Sequence, residues 1–160
     1  MSWFSRPEAW AALPLLGLAL VPGRAAAQGW RETQLWGVAL ASEPAVFAGG
    51  LGLAWRDRGR SRVGVAIAGG ATDDGAAAGR VEVAWHFLLD PGRRKGFAIY
   101  GGGGLAVSVI EQQQLRPWVL VVVGGETSPA ARHGLFVELG LGGGARLAAG
   151  VRWRAAAKSR

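Results

Sequence analysis

The sequence contains no cysteine, and it has only one tyrosine and two histidines. Without cysteine there can be no disulfide bond, no thiolate zinc site and no cysteine nucleophile. Helical periodicity is also missing beyond residue 27, and the apolar stretch 115–125 is interrupted by Arg116 and Pro117. Because a spanning helix needs about 20 apolar residues, we expect no membrane-spanning helix after the first segment.

The charge balance is basic, with 18 Lys and Arg against 11 Asp and Glu and a formal net charge of +7. A basic chain can indicate a nucleic-acid partner. Here the arginines lie mainly in predicted turns and at strand ends, and no basic helix or RNA-binding aromatic motif accompanies them. We therefore expect no nucleic-acid binding. The 27 glycines cluster in apolar, alternating stretches rather than in polar linkers, which argues against disorder.

The first 27 residues have the layout of a secretory signal peptide. Arg6 precedes an apolar run over 9–21, and three alanines at 25–27 provide an A-x-A cleavage site. The run is too short for a spanning helix. We predict a signal peptide at 1–27 and one domain at 28–160, exported from the cytoplasm.

The stretch 80–109 alternates large apolar residues with small or charged ones, which is the period of a β-strand. Its two halves flank a turn at 90–92 and read as a hairpin. Similar segments at 31–41, 45–56, 62–70, 116–125, 134–141 and 145–154 bring the number of predicted strands to eight. An even number of strands, each about 9–11 residues long with turns between them, is typical of a transmembrane β-barrel.

The two faces of these strands differ in chemistry. Over six of the strands, 24 of 29 odd-numbered positions are Val, Ile, Leu, Phe or Trp, and none is charged. The even positions carry mostly Gly and Ala together with the charges. The facing of 31–41 and 116–125 stays open, because Trp36 shares parity with Glu32 and the latter strand is apolar on both faces.

Two kinds of closed barrel fit this pattern of faces. A soluble, lipocalin-like periplasmic barrel would turn the odd face inward around an apolar ligand, which leaves a Gly- and Ala-rich surface poorly suited to water. An outer-membrane barrel would turn the odd face to lipid, where a mid-bilayer charge costs about 2–4 kcal/mol. We favour the membrane interpretation.

With its strand count, its alternation and the segment GFAIYGGGGLAV at 96–107, the chain resembles the small eight-stranded outer-membrane barrels of the OmpA transmembrane-domain and opacity-protein type. The resemblance covers roughly residues 31–154. It implies an all-β, antiparallel up-and-down transmembrane barrel in the outer membrane. Its expected partners are outer-membrane lipid, lipopolysaccharide and, during biogenesis, the barrel-insertion machinery, and the expected state is a monomer.

Two groups of side chains follow from parity. A polar network is expected in the lumen, formed by Glu82, His86, Tyr100, Glu138, Arg146 and Arg152. An aromatic girdle is expected at the rim shared with the chain termini, formed by Trp55, Trp85, Phe87, Phe97 and Trp153. Phe47 and Trp118 would mark the opposite rim. We interpret the network as internal ion pairing rather than as a catalytic, metal or cofactor site.

The function predicted from the sequence is therefore a non-catalytic structural or surface-contact role in the envelope. Two other activities remain open beside the soluble binding protein. A lipid A-modifying barrel enzyme would need Ser108, a histidine (His86 or His133) and Glu82 close together, and a small channel would need an open lumen.

Overall fold

A computed structural model describes residues 30–56, 60–111 and 114–156. The predicted signal peptide at 1–27 lies outside the described residues. The strands are β1 (Trp30–Ala41), β2 (Val46–Arg56), β3 (Ser61–Thr72), β4 (Ala77–Leu88), β5 (Phe97–Ile110), β6 (Arg116–Thr127), β7 (His133–Leu141) and β8 (Ala145–Ala156).

The sheet closes on itself. Each strand pairs antiparallel with the next along the chain, and β1 pairs with β8 from Trp30↔Ala156 to Ala41↔Ala145. The predicted all-β, eight-stranded antiparallel up-and-down barrel is confirmed. Within the described ranges, no helix is long and apolar enough to cross a membrane.

Two strand boundaries differ from the sequence prediction. The loop expected between β3 and β4 shrinks to residues 73–76, because Ala71 and Ala77 continue the ladder and the Thr72 side chain bonds to Ala76 across the turn. The turn expected to begin at residue 126 begins after Thr127 instead, because Glu126 pairs with Phe136 in the ladder.

Side chains at even positions face the barrel interior along all eight strands. This includes β1, where Trp36 is buried and Leu35 is exposed, and β6, where Leu120 is buried and Val119 is exposed. The facing that the sequence left open is thus the same as in the other strands. The odd face, with its large apolar side chains, lies on the outside.

The interior has apolar as well as charged layers. One apolar cluster consists of Trp36, Val38, Leu40, Val46, Ala78, Phe136 and Ala148. A second, smaller cluster joins Ala84 to Leu120 and Val122. These clusters explain why β6 is apolar on both faces, since its inner residues pack in the barrel while its outer residues are exposed.

The barrel has two rims, which we call terminal and distal. The terminal rim carries both ends of the barrel and the connections 57–60, 89–96 and 128–132; the distal rim carries the connections 42–45, 73–76, 111–115 and 142–144. The distal connections are short and hydrogen-bonded. Asp73 accepts a bond from the backbone of Ala45 at 3.1 Å, and the Thr72 hydroxyl donates to Asp74 and holds the pKa of that carboxyl below its usual value.

Candidate functional site

The terminal half of the lumen is filled by an ion cluster centred on the fully buried Glu126. Its Oε2 atom accepts bonds from Arg62 at 2.9 Å, Arg152 at 2.7 Å and Arg154 at 3.1 Å. Oε1 lies 3.5 Å from Arg56 Nη1. One carboxylate therefore holds guanidinium groups from β2, β3 and β8 against β6.

Glu32 supplies the second carboxylate of this cluster from β1. It accepts bonds from Arg154 Nε at 3.2 Å and from Arg62 Nη1 at 3.4 Å. Arg62 and Arg154 are thereby shared between Glu32 and Glu126. Since a buried charge is costly unless it is paired and hydrogen-bonded, this sharing lets the arginines remain inside the barrel.

The middle of the lumen is organised by Glu138. Its Oε1 atom accepts the Tyr100 hydroxyl at 2.7 Å and Arg152 Nη2 at 3.0 Å, while Oε2 accepts Arg146 Nη1 at 3.0 Å. Gly124 pairs with both Tyr100 and Glu138, on the two strands that flank it. A Cβ at Gly124 would lie 2.8 Å from both side chains, so glycine leaves the space in which they meet.

Glu82 extends the network towards the distal rim. It accepts Arg146 at 3.2 Å and 3.0 Å and Arg80 Nε at 2.6 Å. Arg80 in turn donates from Nη1 to the Ser108 hydroxyl at 2.8 Å. Charged hydrogen bonds therefore continue from Glu32 near one rim to Arg80 near the other.

Aromatic rings flank the arginines of the network. Arg62 lies over the Tyr100 ring at 4.6 Å, and Arg152 lies over Phe136 at 3.9 Å. Arg146 is 5.4 Å from the centre of the Trp36 ring. Cation–π attraction, which is stronger in a desolvated site, therefore adds to the ion pairs.

The network carries an excess of positive charge. Its buried or nearly buried ionised groups are six arginines and four glutamates, which leaves two positive charges when His86 is neutral. The arginines are Arg56, Arg62, Arg80, Arg146, Arg152 and Arg154, and the glutamates are Glu32, Glu82, Glu126 and Glu138.

All six residues predicted for the lumen are buried there: Glu82, His86, Tyr100, Glu138, Arg146 and Arg152. A hairpin whose turn centres near residue 93 would place His86 opposite Tyr100, and this prediction from the sequence is wrong in register, because His86 pairs with Gly102 and Tyr100 with Leu88. The two rings still meet edge-on, with centres 5.2 Å apart, and His86 Nε2 lies 3.7 Å from Glu138 Oε1.

The predicted network omitted six of its residues, namely Glu32, Arg56, Arg62, Arg80, Glu126 and Arg154. All six have even numbers, and Arg56, Arg80 and Arg154 were among the charges on the even face that was expected to line the lumen. Glu32 was omitted because the facing of its strand was open, and Glu126 because it was taken as part of a turn.

The five residues predicted for the girdle, Trp55, Trp85, Phe87, Phe97 and Trp153, lie on the outside and are about half exposed. They fall in the parts of β2, β4, β5 and β8 closest to the terminal rim, and Trp85 stacks on Phe87 with ring centres 5.5 Å apart. At the distal end Phe47 is exposed on the outside. Trp118 instead turns into the mouth, against Gly143.

The residues considered for a hydrolytic triad are not brought together. Ser108 pairs with Arg80, and His86 lies six residues further along β4, about 20 Å at 3.3 Å per residue. His133 is exposed at the start of β7, at the terminal rim. Within 30–56, 60–111 and 114–156, no group of three His, Asp or Glu side chains could hold a metal ion.

The barrel was compared with known proteins. No family model matches the chain, and no curated protein matches its sequence. Several solved structures match its fold, including the two that follow. The N-terminal β-barrel domain of OprF from Pseudomonas aeruginosa aligns with a TM-score of 0.64 at 12% identity, covering 80% of this chain and 100% of that one. Neisserial surface protein A aligns with a TM-score of 0.55 at 13% identity, covering 78% of this chain and 96% of that one.

Both of these structures are small eight-stranded outer-membrane barrels. The fold of this chain is therefore the one predicted from the resemblance to barrels of the OmpA transmembrane-domain and opacity-protein type. At this level of identity the likeness defines the architecture alone.

Proposed function

We propose that this chain is an integral outer-membrane barrel that is not an enzyme and that has a structural role in the cell envelope. The proposal rests chiefly on the outer surface. Between the rims, the outward positions of the described strands carry Val, Leu, Ile, Phe, Trp, Gly and Ala, with Thr33 and Pro117 towards the strand ends. The one arginine among the outward residues of these strands, Arg31, lies at the terminal rim. A lipid environment favours such a belt, whereas water does not.

The height of the barrel also fits a lipid bilayer. The strands have nine to 14 residues. A strand of 12 residues such as β4 is about 40 Å long at about 3.3 Å per residue. Tilted by about 40°, it rises about 30 Å, enough for an apolar band about 25 Å tall and its two rims. The girdle at the terminal rim would then lie at the level of the lipid headgroups.

The filled lumen argues against transport. Arg62, Tyr100, Glu126 and Arg152 are fully buried across the bore and tied to one another by the ion cluster. The cavity beside Glu138 and His86 has a volume of about 30 Å³, which corresponds to about one water molecule. We therefore propose a non-conducting barrel, and the separation of Ser108 from His86 favours a non-catalytic one.

The distribution of charge favours lipid over nucleic acid as the partner. Six of the 18 Lys and Arg residues are in the lumen, where carboxylates compensate them. These six charges are consequently not displayed at the surface, where a nucleic acid would contact them. Because the closed ladder leaves little strand edge to pair with another chain, we propose that the protein is a monomer. Its proposed partners are outer-membrane lipid and lipopolysaccharide, and the barrel-insertion machinery during assembly.

Heat modifiability with cell fractionation tests the proposal. The expressed protein should sediment with the outer membrane and should run faster on an SDS gel when unheated than when boiled, since a closed ladder resists detergent. A protein that is released with the periplasm and shows no mobility shift would contradict membrane insertion and would favour the soluble ligand-binding alternative.

Two further assays address activity. A planar bilayer containing the refolded protein should show no stepwise conductance, and lipid A from expressing cells should keep its mass. Stepwise conductance would mean that the lumen opens. A changed lipid A mass that persists in a Ser108→Ala variant would point to an enzyme with a different nucleophile.

A further inference from the structure

A cavity of about 220 Å³ lies in the mouth of the barrel at the distal rim. Its walls combine apolar side chains, among them Leu40, Val46, Ile110 and Trp118, with the hydroxyl groups of Ser42 and Ser108. Glu43, Gln114 and Arg116 add polar groups to the lining. This cavity is separate from the small one beside Glu138 in the middle of the lumen. It is large enough for a small polar group together with a short apolar one.

A buried arginine with unused donor capacity lies next to the cavity, directly behind Ser108. Arg80 is 3% exposed and donates to Glu82 through Nε and to Ser108 through Nη1. Its Nη2 atom has no hydrogen-bond partner among the residues that the structure describes. That atom lies 3.1 Å from the position that a Cβ on Gly142 would occupy, so it is directly beneath the turn between β7 and β8.

The Ser108 hydroxyl offers a second donor at the same place. Its oxygen accepts from Arg80 Nη1, so its own hydrogen is free to bond with another group. Ser108 lines the cavity directly. Two donors, one charged and one neutral, therefore lie side by side, with Ser108 in the cavity wall and Arg80 behind it. Among the described residues, Glu82 is the one carboxylate in contact with Arg80.

The charges around the mouth are mixed. Arg116 lines the cavity from β6, and Glu43 lines it from the exposed turn between β1 and β2. The two excess positive charges of the lumen network lie in its terminal half, because nearer the mouth Arg80 and Arg146 are matched by Glu82 and Glu138. The features that favour an anion are therefore the unused donor of Arg80 and the hydroxyl beside it.

We propose that the distal mouth binds one phosphate group, which accepts hydrogen bonds from Arg80 Nη2 and from the Ser108 hydroxyl. Guanidinium groups match the tetrahedral oxygens of phosphate and form charge-assisted bonds with them. The apolar walls of Leu40, Ile110 and Trp118 accommodate the first carbons of an attached chain. The phosphate is either free or the monoester headgroup of a lipid, and both present the same oxygens to these two donors.

Calorimetric titration of the refolded protein tests this site. The protein is held in dodecyl maltoside, which contains no phosphate, and is titrated with inorganic phosphate or with dodecyl phosphate. Saturable binding at one per barrel is expected for at least one probe. Saturation by inorganic phosphate identifies a free anion as sufficient, and saturation by dodecyl phosphate alone identifies a lipid monoester.

Variants locate the binding. Arg80→Gln should weaken binding about tenfold or more, as expected when a charged hydrogen bond is lost. Arg94→Gln removes the same charge from an exposed site on the terminal rim and should leave the affinity unchanged. Ser108→Ala keeps the Arg80–Glu82 pair and should also weaken binding of the probe. If Arg80→Gln does not fold, Ser108→Ala alone tests whether the probe binds at the mouth.

The proposal is overturned if neither probe saturates. It is equally overturned if Ser108→Ala and Arg80→Gln, each showing a normal heat-induced shift, bind as tightly as the unchanged protein. An equal loss in Arg94→Gln would mean that the probes respond to overall charge rather than to the mouth.

Discussion

Replacing Glu126 by glutamine should destabilise the barrel much more than the loss of a carboxylate from an exposed ion pair. Glutamine keeps the shape of the side chain but removes the charge that Arg62, Arg152, Arg154 and the more distant Arg56 share. Losing one partner of a buried ion pair costs about 3–5 kcal/mol. Arg152 keeps Glu138, and Arg62 and Arg154 keep Glu32. Arg56, which is partly exposed, loses its one ion pair among the described residues. We therefore expect a loss of about 3 kcal/mol in the free energy of unfolding.

The assay is equilibrium unfolding by urea in lipid vesicles, followed by tryptophan fluorescence. The matched control is Asp90→Asn, which removes a carboxylate 3.1 Å from Arg93 in an exposed turn. An exposed pair contributes about 0–1 kcal/mol, so the control should move the midpoint little. If Glu126→Gln and Asp90→Asn shift it equally, the lumen arginines do not depend on Glu126 and the reasoning is wrong.

Three further predictions can use the same assay. Tyr100→Phe removes a hydroxyl bonded to a glutamate and an arginine, and it should cost about 1–3 kcal/mol; no change would show that these partners re-pair. Gly104→Ala would place a Cβ 2.0 Å from the carbonyl oxygen of Val83, whereas Gly69→Ala meets nothing within 4 Å. Gly104→Ala should therefore lower the free energy of unfolding by about 1–3 kcal/mol through overpacking. An equal loss in Gly69→Ala would contradict the close approach of β4 and β5 at Gly104. Leu51→Arg places a charge on the exposed outer face and should lower the free energy of unfolding in a bilayer by about 2–4 kcal/mol relative to Leu51→Ala. A smaller loss for arginine than for alanine would argue that this face does not contact lipid.

The fold follows from the sequence because alternation was unambiguous in most strands. Charges never appear at odd positions between Phe47 and Phe87 within the predicted strands, so one register places the large apolar residues of these positions outside. Closure was an inference from the even number of strands. Strand ends were less certain because Ala71, Ala77 and Ala78 carry little information about pairing.

The network was only partly predictable for two physical reasons. In β1, the indole of Trp36 lies inside beneath Arg146, a position that hydrophobicity alone would have assigned to the lipid face. The partners of each arginine also depend on the stagger between strands, which the sequence does not encode directly. A shift of the β4–β5 register therefore altered the predicted neighbour of His86 without changing its facing.

The short distal connections, three to five residues each, limit what the protein can present to its surroundings. If this rim faces outward, no loop rises far above the headgroups, and the sugars of lipopolysaccharide would stand taller than the protein around it. An antibody, a phage or a protease approaching an intact cell would then meet carbohydrate first. Such a barrel is suited to contacts made within the leaflet, at the wall and at the mouth, rather than to reaching another cell.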